Sequence, residues 1–292
     1  MDFSEKDSVD AVLASFADTP DPRLREVMES LVRHLHGFLR DVRPSIAEWE
    51  QGIEFLTAIG QKCDEHRQEF ILFSDVLGAS MLVETMEAAR QAQDATASTV
   101  LGPFHVVRSP ERALGDTIDS IGTGEPCLIE GSVTAPDGTP VPGARIDVWQ
   151  ADDHGFYDVQ VPDAQPLGNG RGLFTADDEG RFWFRSIVPA HYPIPTDGPV
   201  GALLRATKRH PYRPAHVHFI VEAPGHVPVT THVFVGGSAY LDSDAVFAVK
   251  QSLVRDFAPV DDPDAAARHG LPNPFRRARF DIVLQPADGS GA

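Results

Sequence analysis

Residues 126–150 run PCLIEGSVTAPDGTPVPGARIDVWQ: two short apolar, β-branched runs on either side of Pro136-Asp137-Gly138, a strong turn signal. The same texture continues to the end of the chain. RFWFRSI (181–187), AHVHFIVE (215–222), TTHVFVG (230–236) and RARFDIVLQ (277–285) are short runs separated by turn residues. Several short strands at such spacing predict an antiparallel sandwich or barrel. The stretch QVPDAQPLGNGRG (160–172) reads as a loop, and the tail after Gln285 as frayed.

The first third differs. Residues 1–100 hold 4 Gly and 3 Pro, and the other 192 residues hold 41. Leu24, Val27, Met28, Leu31, Leu35, Phe38 and Leu39 recur at three and four residues, which predicts an amphipathic helix. Asp21-Pro22 marks its start. Ser45 with Glu48 reads as a capping box, followed by a stripe of Trp49, Ile53, Leu56 and Ile59. A third helical segment spans about 67–91, and a short leading helix covers Val9 to Phe16. These stripes fit a bundle core and a subunit interface equally well. The expected fold is α+β: a helical domain over 1–100 and a mainly antiparallel β-sandwich over 101–292.

Composition excludes several classes. The chain has 292 residues, with 43 Asp+Glu against 25 Lys+Arg, a formal −18. That field repels phosphate backbones and argues against a nucleic-acid binder. No apolar run reaches the 18 or so residues that span a bilayer. The start, MDFSEKDSVD, is acidic and polar, so a cytoplasmic location without a membrane is expected. Cys63 and Cys127 form neither a CxxC pair nor a disulfide framework.

The densest chemical candidate is Arg213-Pro214-Ala215-His216-Val217-His218. On a strand, His216 and His218 share a face, and two imidazoles on one face suit a metal. Among 12 histidines such a pair also arises by chance. Glu222 lies four residues further on. Of four tyrosines, Tyr157 sits in DHGFY just past a strand and Tyr192 in the Pro-locked loop PAHYPIP. Singly, each reads as an amphipathic residue at a strand end.

Together, GSVTAPDGTPVPGARIDVWQADDHGFYDVQ, GRFWFRSIVPAHYPIP and RPAHVHFIV closely resemble the intradiol ring-cleavage dioxygenases over about residues 95–250. The resemblance implies iron(III) held by Tyr157, Tyr192, His216 and His218, with Arg213 as an active-site arginine and Tyr192 as a displaceable, proton-accepting ligand. That donor set is chemically sensible. Hard trivalent iron favours anionic oxygen, and a phenol binds beside it as phenolate. The implied reaction inserts oxygen between the two hydroxylated carbons of an aromatic diol, giving a muconate-type dicarboxylate. Arg213 would stabilise negative charge on the ring, although strict strand alternation from the histidines places it on the opposite face.

VLGPFHV (100–106), VWQADDHGFYDVQ (148–160), HYPIPTDGPVGALL (191–204), YLDSDAVFAVK (240–250) and EFILFSDVLGASMLV (69–83) resemble the hydroxyquinol-cleaving branch of the family. The implied substrate is benzene-1,2,4-triol and the implied product 3-hydroxymuconate, the enol of maleylacetate. The implied pocket wall is Leu72, Asp75, Val100, Leu101, Gly102, Pro103, Phe104, Ile194, Pro195 and Val246. Asp75 would accept a hydrogen bond from the third hydroxyl; on a solvated helix face it would have no such role. Catechol-cleaving relatives generally carry Gln where this chain has His232. The resemblance further implies a homodimer through the helices, with room for a lipid at their junction.

Rival readings are a catechol or chlorocatechol 1,2-dioxygenase, a cupin using His216, His218 and Glu222, and a non-enzymatic transthyretin-like module. The cupin reading lacks the glycine expected at position 210, which is His210, and lacks a second motif.

Overall fold

In the computed structural model, residues 3–64, 67–90, 94–105 and 108–287 are described. Of the tail expected to fray after Gln285, Pro286 and Ala287 are instead paired with the loop at Gly225 and His226, and the rest lies outside the described residues. The chain forms two compact units, Met1–Ala58 and Ile59–Ala292.

In the first unit, α1 (Ser8–Ala14) packs on α2 (Pro22–Val42). Asp21 caps α2, its carboxylate accepting from the amides of Arg23 and Leu24. The box at α3 (Ile46–Lys62) forms as expected: Glu48 accepts from the Ser45 amide at 2.8 Å, and Ser45 Oγ accepts from the Glu48 amide at 3.3 Å. The apolar stripe of α2 does not enter a core within the single chain. Only Val32 of this helix is buried, while Leu24 and Phe38 are 51% and 58% exposed.

In the second unit, the single helix expected over 67–91 is two helices, α4 (Glu69–Val76) and α5 (Ala79–Ala88). The break falls at Gly78, whose φ of 74° ends one helix and starts the next. The remainder is a sandwich. One sheet runs β10 (Ala258–Val260), β11 (Phe275–Arg279), β1 (Pro126–Thr134), β12 (Ile282–Val283), with β4 (Arg181–Ile187) also on β1. The other runs β3 (Arg171–Thr175), β2 (Arg145–Gln150), β7 (His216–Glu222), β8 (Val229–Val235), β9 (Val254–Arg255). The sheets are mixed rather than purely antiparallel. β1 pairs in parallel with β11 and β12, where the end of the described chain returns alongside its first strand, and β8 also pairs in parallel with β9.

Ile129, Val133, Phe182 and Phe184 of the first sheet meet Ile146, Val148, Phe219 and Val221 of the second in one core. The rings of Phe182 and Phe184 lie 6.2 and 6.3 Å from that of Phe219. Each fully buried aromatic contributes about 1.5–3 kcal/mol. On β7, Val217, Phe219 and Val221 join this core, yet His216 and His218 are buried too. The strand therefore has no wet face near its start, and alternation sends the histidines into a second buried region. Among the described residues no helix is long and apolar enough to cross a membrane.

Candidate metal centre and substrate pocket

The second buried region is built by four segments. β7 supplies His216 and His218. Tyr157 precedes a one-turn 3₁₀ helix, Asp158–Gln160, and its amide donates to the Gln160 side chain at 2.9 Å. Tyr192 opens a two-residue strand, β5 (Tyr192–Pro193), which pairs with β6 (Tyr212–Arg213). The two tyrosine loops approach closely at Gly155, which has a φ of 86°; a Cβ there would lie 2.9 Å from both the His191 carbonyl and Tyr192 Cβ.

Four donor atoms converge. Tyr157 and Tyr192 hydroxyls are 3.3 Å apart, and His216 and His218 Nε2 are 3.1 Å apart. Tyr157 Oη lies 3.0 Å from His218 Nε2, and Tyr192 Oη 3.4 Å from His216 Nε2. All four residues are at most 2% exposed. His216 Nδ1 lies 2.7 Å from the Pro214 carbonyl, which can only accept, so that nitrogen carries the proton and Nε2 offers its lone pair to the cluster. Trp149 stacks on His218 with 10° between the planes, fixing the second ring.

Electrostatics explain what this cluster requires. Burial and the charge of Arg213 hold His216 well below the usual imidazole value; burial and the neighbouring histidines do the same to His218. Both imidazoles are therefore neutral at pH 7. Burial, then the Tyr192 hydroxyl beside it, push the Tyr157 phenol well above its usual 10. Tyr157 gives up its proton only to a strong local cation. Two neutral imidazoles and two phenols at these separations fit a hard, highly charged metal ion.

A third imidazole adjoins them. His216, His218 and His232 place ligand atoms within 4.8 Å of one another, the one such group among the described residues. His232 sits opposite His218 across the β7–β8 ladder. Its Nδ1 bonds Thr99 Oγ1, and its Nε2 has no partner. Sequence reasoning marked His232 only as a departure and missed Thr99 and Trp149. Glu222, which a cupin would use, is exposed at the far end of β7 opposite Arg145.

Arg213 is 2% exposed, with Nη1 3.3 Å from His216 Nε2. The conflict with strand alternation disappears because Arg213 lies on β6, paired with Tyr192, and Pro214 separates it from β7. Asp244 grips its guanidinium at 3.2 and 3.4 Å. Burial is the largest single influence and pulls this cation's pKa down, but the charge and hydrogen bonds of Asp244, joined by the Tyr192 and Tyr157 hydroxyls, together hold it above the ordinary value.

The other expected wall residues divide. Leu72, Val100, Ile194 and Val246 are buried in one apolar cluster. Phe104 stacks on Tyr157 with ring centroids 4.6 Å apart. Its carbonyl accepts from Arg171, which is itself paired with Asp158 at 2.7 Å in a fully buried bridge absent from the sequence reading. Gly102 has a φ of 78°, and a Cβ there would lie 2.9 Å from His218 Cε1. Pro103 and Pro195 are half-buried, and Leu101 is exposed. Asp75, on α4, is only 3% exposed and not on a solvated face. Its Oδ1 has no hydrogen-bond partner. Burial raises its pKa, against the Ser80 hydroxyl and the Arg213 charge.

This fold and cluster agree with comparisons to known proteins. The family model for Dioxygenase matches residues 102–286, and that for Catechol dioxygenase N terminus matches 21–95. The chain belongs to the intradiol ring-cleavage dioxygenases, a non-haem iron family. It is 51% identical over 283 residues to hydroxyquinol 1,2-dioxygenase of Rhizobium sp. (strain MTP-10005), covering 97% of this chain and 96% of that one. It is 50% identical over 286 residues to 6-chlorohydroxyquinol 1,2-dioxygenase of Cupriavidus pinatubonensis, covering 98% and 99%. The crystal structure of hydroxyquinol 1,2-dioxygenase from Pseudomonas putida DLL-E4 superposes with a TM-score of 0.89 at 46% identity, covering 97% and 99%.

Proposed function

We propose that this chain is an iron(III) hydroxyquinol 1,2-dioxygenase, cleaving benzene-1,2,4-triol with O₂ between the 1- and 2-hydroxylated carbons to 3-hydroxymuconate. The observation that carries the metal assignment is the ring of Tyr157, Tyr192, His216 and His218 donors at 3.0–3.4 Å. Tyr157, Tyr192, His216 and His218 would hold ferric iron there, and with it bound the site would gain the Lewis-acid and redox chemistry that makes the ring carbon of a diol reactive toward O₂.

The chain's own residues do the rest. His216 and His218 stay neutral and fixed. Tyr192, on its two-residue strand, is the ligand that yields to substrate and takes a proton on its Oη. Arg213, buried and charged, faces negative charge as it develops on the ring. Phe104, Ile194 and Val246 exclude water. Asp75 supports the choice of triol. A buried carboxylate with an unpartnered oxygen offers an acceptor to a third hydroxyl, and catechol leaves it unpaired.

In this reading residues 1–100 serve assembly and, through Leu72 and Asp75, the pocket wall, and residues 101–292 carry the metal centre. The exposed stripe of α2 supports a homodimer and offers an apolar surface that a lipid could share. Steady-state kinetics on hydroxyquinol, catechol and chlorocatechols test the substrate assignment. Hydroxyquinol should have the highest kcat/KM; an equal or higher value for catechol would overturn it.

A further inference from the structure

The loop after β8 carries a carboxylate that no step above uses. Asp244 is 5% exposed and accepts from four groups at once. Its Oδ1 takes Arg213 Nε at 3.2 Å and the Val246 amide at 3.3 Å. Its Oδ2 takes Arg213 Nη2 at 3.4 Å and the Ala248 amide at 3.1 Å. The surrounding backbone is strained: Tyr240 and Phe247, neither a glycine, sit at φ values of 68° and 60°. Arg209 braces the loop from outside, donating to the Ala245 carbonyl at 3.0 Å and to the Val76 carbonyl at 2.5 Å. One carboxylate thus ties a wall residue, Val246, to the Arg213 guanidinium, which touches a histidine of the donor cluster.

We propose that Asp244 is a positioning residue. Its carboxylate fixes the direction of the Arg213 guanidinium and locks the Val246 segment to it, so that charge and pocket wall meet the diol ring in one register. This rests on the reading of Arg213 as the site arginine. A buried arginine has several rotamers, and a two-pronged carboxylate selects one of them. Without it, the guanidinium keeps its charge but loses its aim.

A double-mutant cycle on the iron-loaded protein tests this: Asp244→Asn, Arg213→Gln and the pair. Asp244→Asn should lower kcat/KM for hydroxyquinol by about ten- to hundredfold, the span expected for hydrogen bonds to a charged group. It should also weaken anaerobic binding of 4-nitrocatechol, read optically. In the Arg213→Gln background the same change should cost under about twofold in both measurements, or reverse, since the buried carboxylate then has no cation opposite it and keeps only the Val246 and Ala248 amides. Equal losses in both backgrounds would overturn the proposal and leave Asp244 a loop anchor. Near wild-type behaviour of Arg213→Gln alone would overturn the role of the arginine itself, and Asp244's with it. If Asp244→Asn yields no folded, iron-loaded protein, Asp244→Glu enters the cycle under the same criteria. Failure of both to fold would also overturn the proposal.

Discussion

Replacing Asp75 by alanine should change which substrate this enzyme prefers. The carboxylate is buried on α4, one oxygen lacks a partner, and burial has raised its pKa. A hydroxyl donated to an ionised carboxylate is worth about 1.5–3 kcal/mol. At about 1.4 kcal/mol per factor of ten, Asp75→Ala should lower kcat/KM for hydroxyquinol about ten- to hundredfold. Asp75→Asn retains a neutral acceptor, worth about 0.5–1.5 kcal/mol, so its loss should be smaller. Catechol has no third hydroxyl. Its turnover should hold or improve, because a carboxylate is no longer desolvated beside an apolar ring carbon. The assay is initial-rate oxygen uptake on both substrates for all three proteins. Equal losses on hydroxyquinol and catechol would refute the reasoning and make Asp75 a support for the wall; Leu72 and Val246 would then be next to test. Stability gives an independent arm. A carboxylate whose folded pKa is raised above 3.8 destabilises the fold as pH rises through that value. Asp75→Asn should therefore gain stability relative to the parent between acid and neutral pH.

Further outcomes are expected. Tyr157→Phe or His218→Ala should abolish stable iron binding and its visible colour, whereas Tyr192→Phe should keep part of the iron and slow substrate deprotonation; metal analysis and absorbance distinguish these. In the iron-free protein, His216, His218 and His232 have folded pKa values well below 6.5. Their contribution is complete above 6.5 and lost as pH falls below it, with a slope approaching about 4 kcal/mol per pH unit for three protons. Urea unfolding at pH 7, 6 and 5 measures that slope, which His232→Gln should reduce by about a third. Leu31→Glu with Phe38→Glu should convert a dimer to a species sedimenting at 31.7 kDa; a parent already at that mass would refute the dimer.

Most of the fold was legible because its signals are local. The Pro136-Asp137-Gly138 turn, short β-branched runs and the Asp21 and Ser45 caps act within a few residues. The helix break at Gly78 was harder to see, since apolar periodicity runs through it without interruption. The parallel pairing of β11 and β12 with β1 depends on segments about 150 residues apart, which no local pattern encodes. At the site, His216-x-His218 could be read from alternation, and the two tyrosines only from resemblance. Arg213 contradicted alternation because Pro214 changes the strand. Asp244, Thr99, Trp149 and the Arg171–Asp158 bridge left no sequence signal, because their importance lies in what they touch.

The donor cluster hangs on a frame of unequal stiffness. His216 and His218 belong to β7, which is laddered on both sides by β2 and β8. Their amides should open to solvent only when the whole sandwich does. Tyr192 is held by a ladder two residues long, and Tyr157 stands before a single helical turn. Half of the site is therefore anchored to bedrock and half to hinged ground. Thermal agitation reaches the tyrosine side first, so metal escape should begin there while the imidazoles remain in place. The tyrosine proposed to yield to substrate thus sits on one of the more lightly tethered segments of the site.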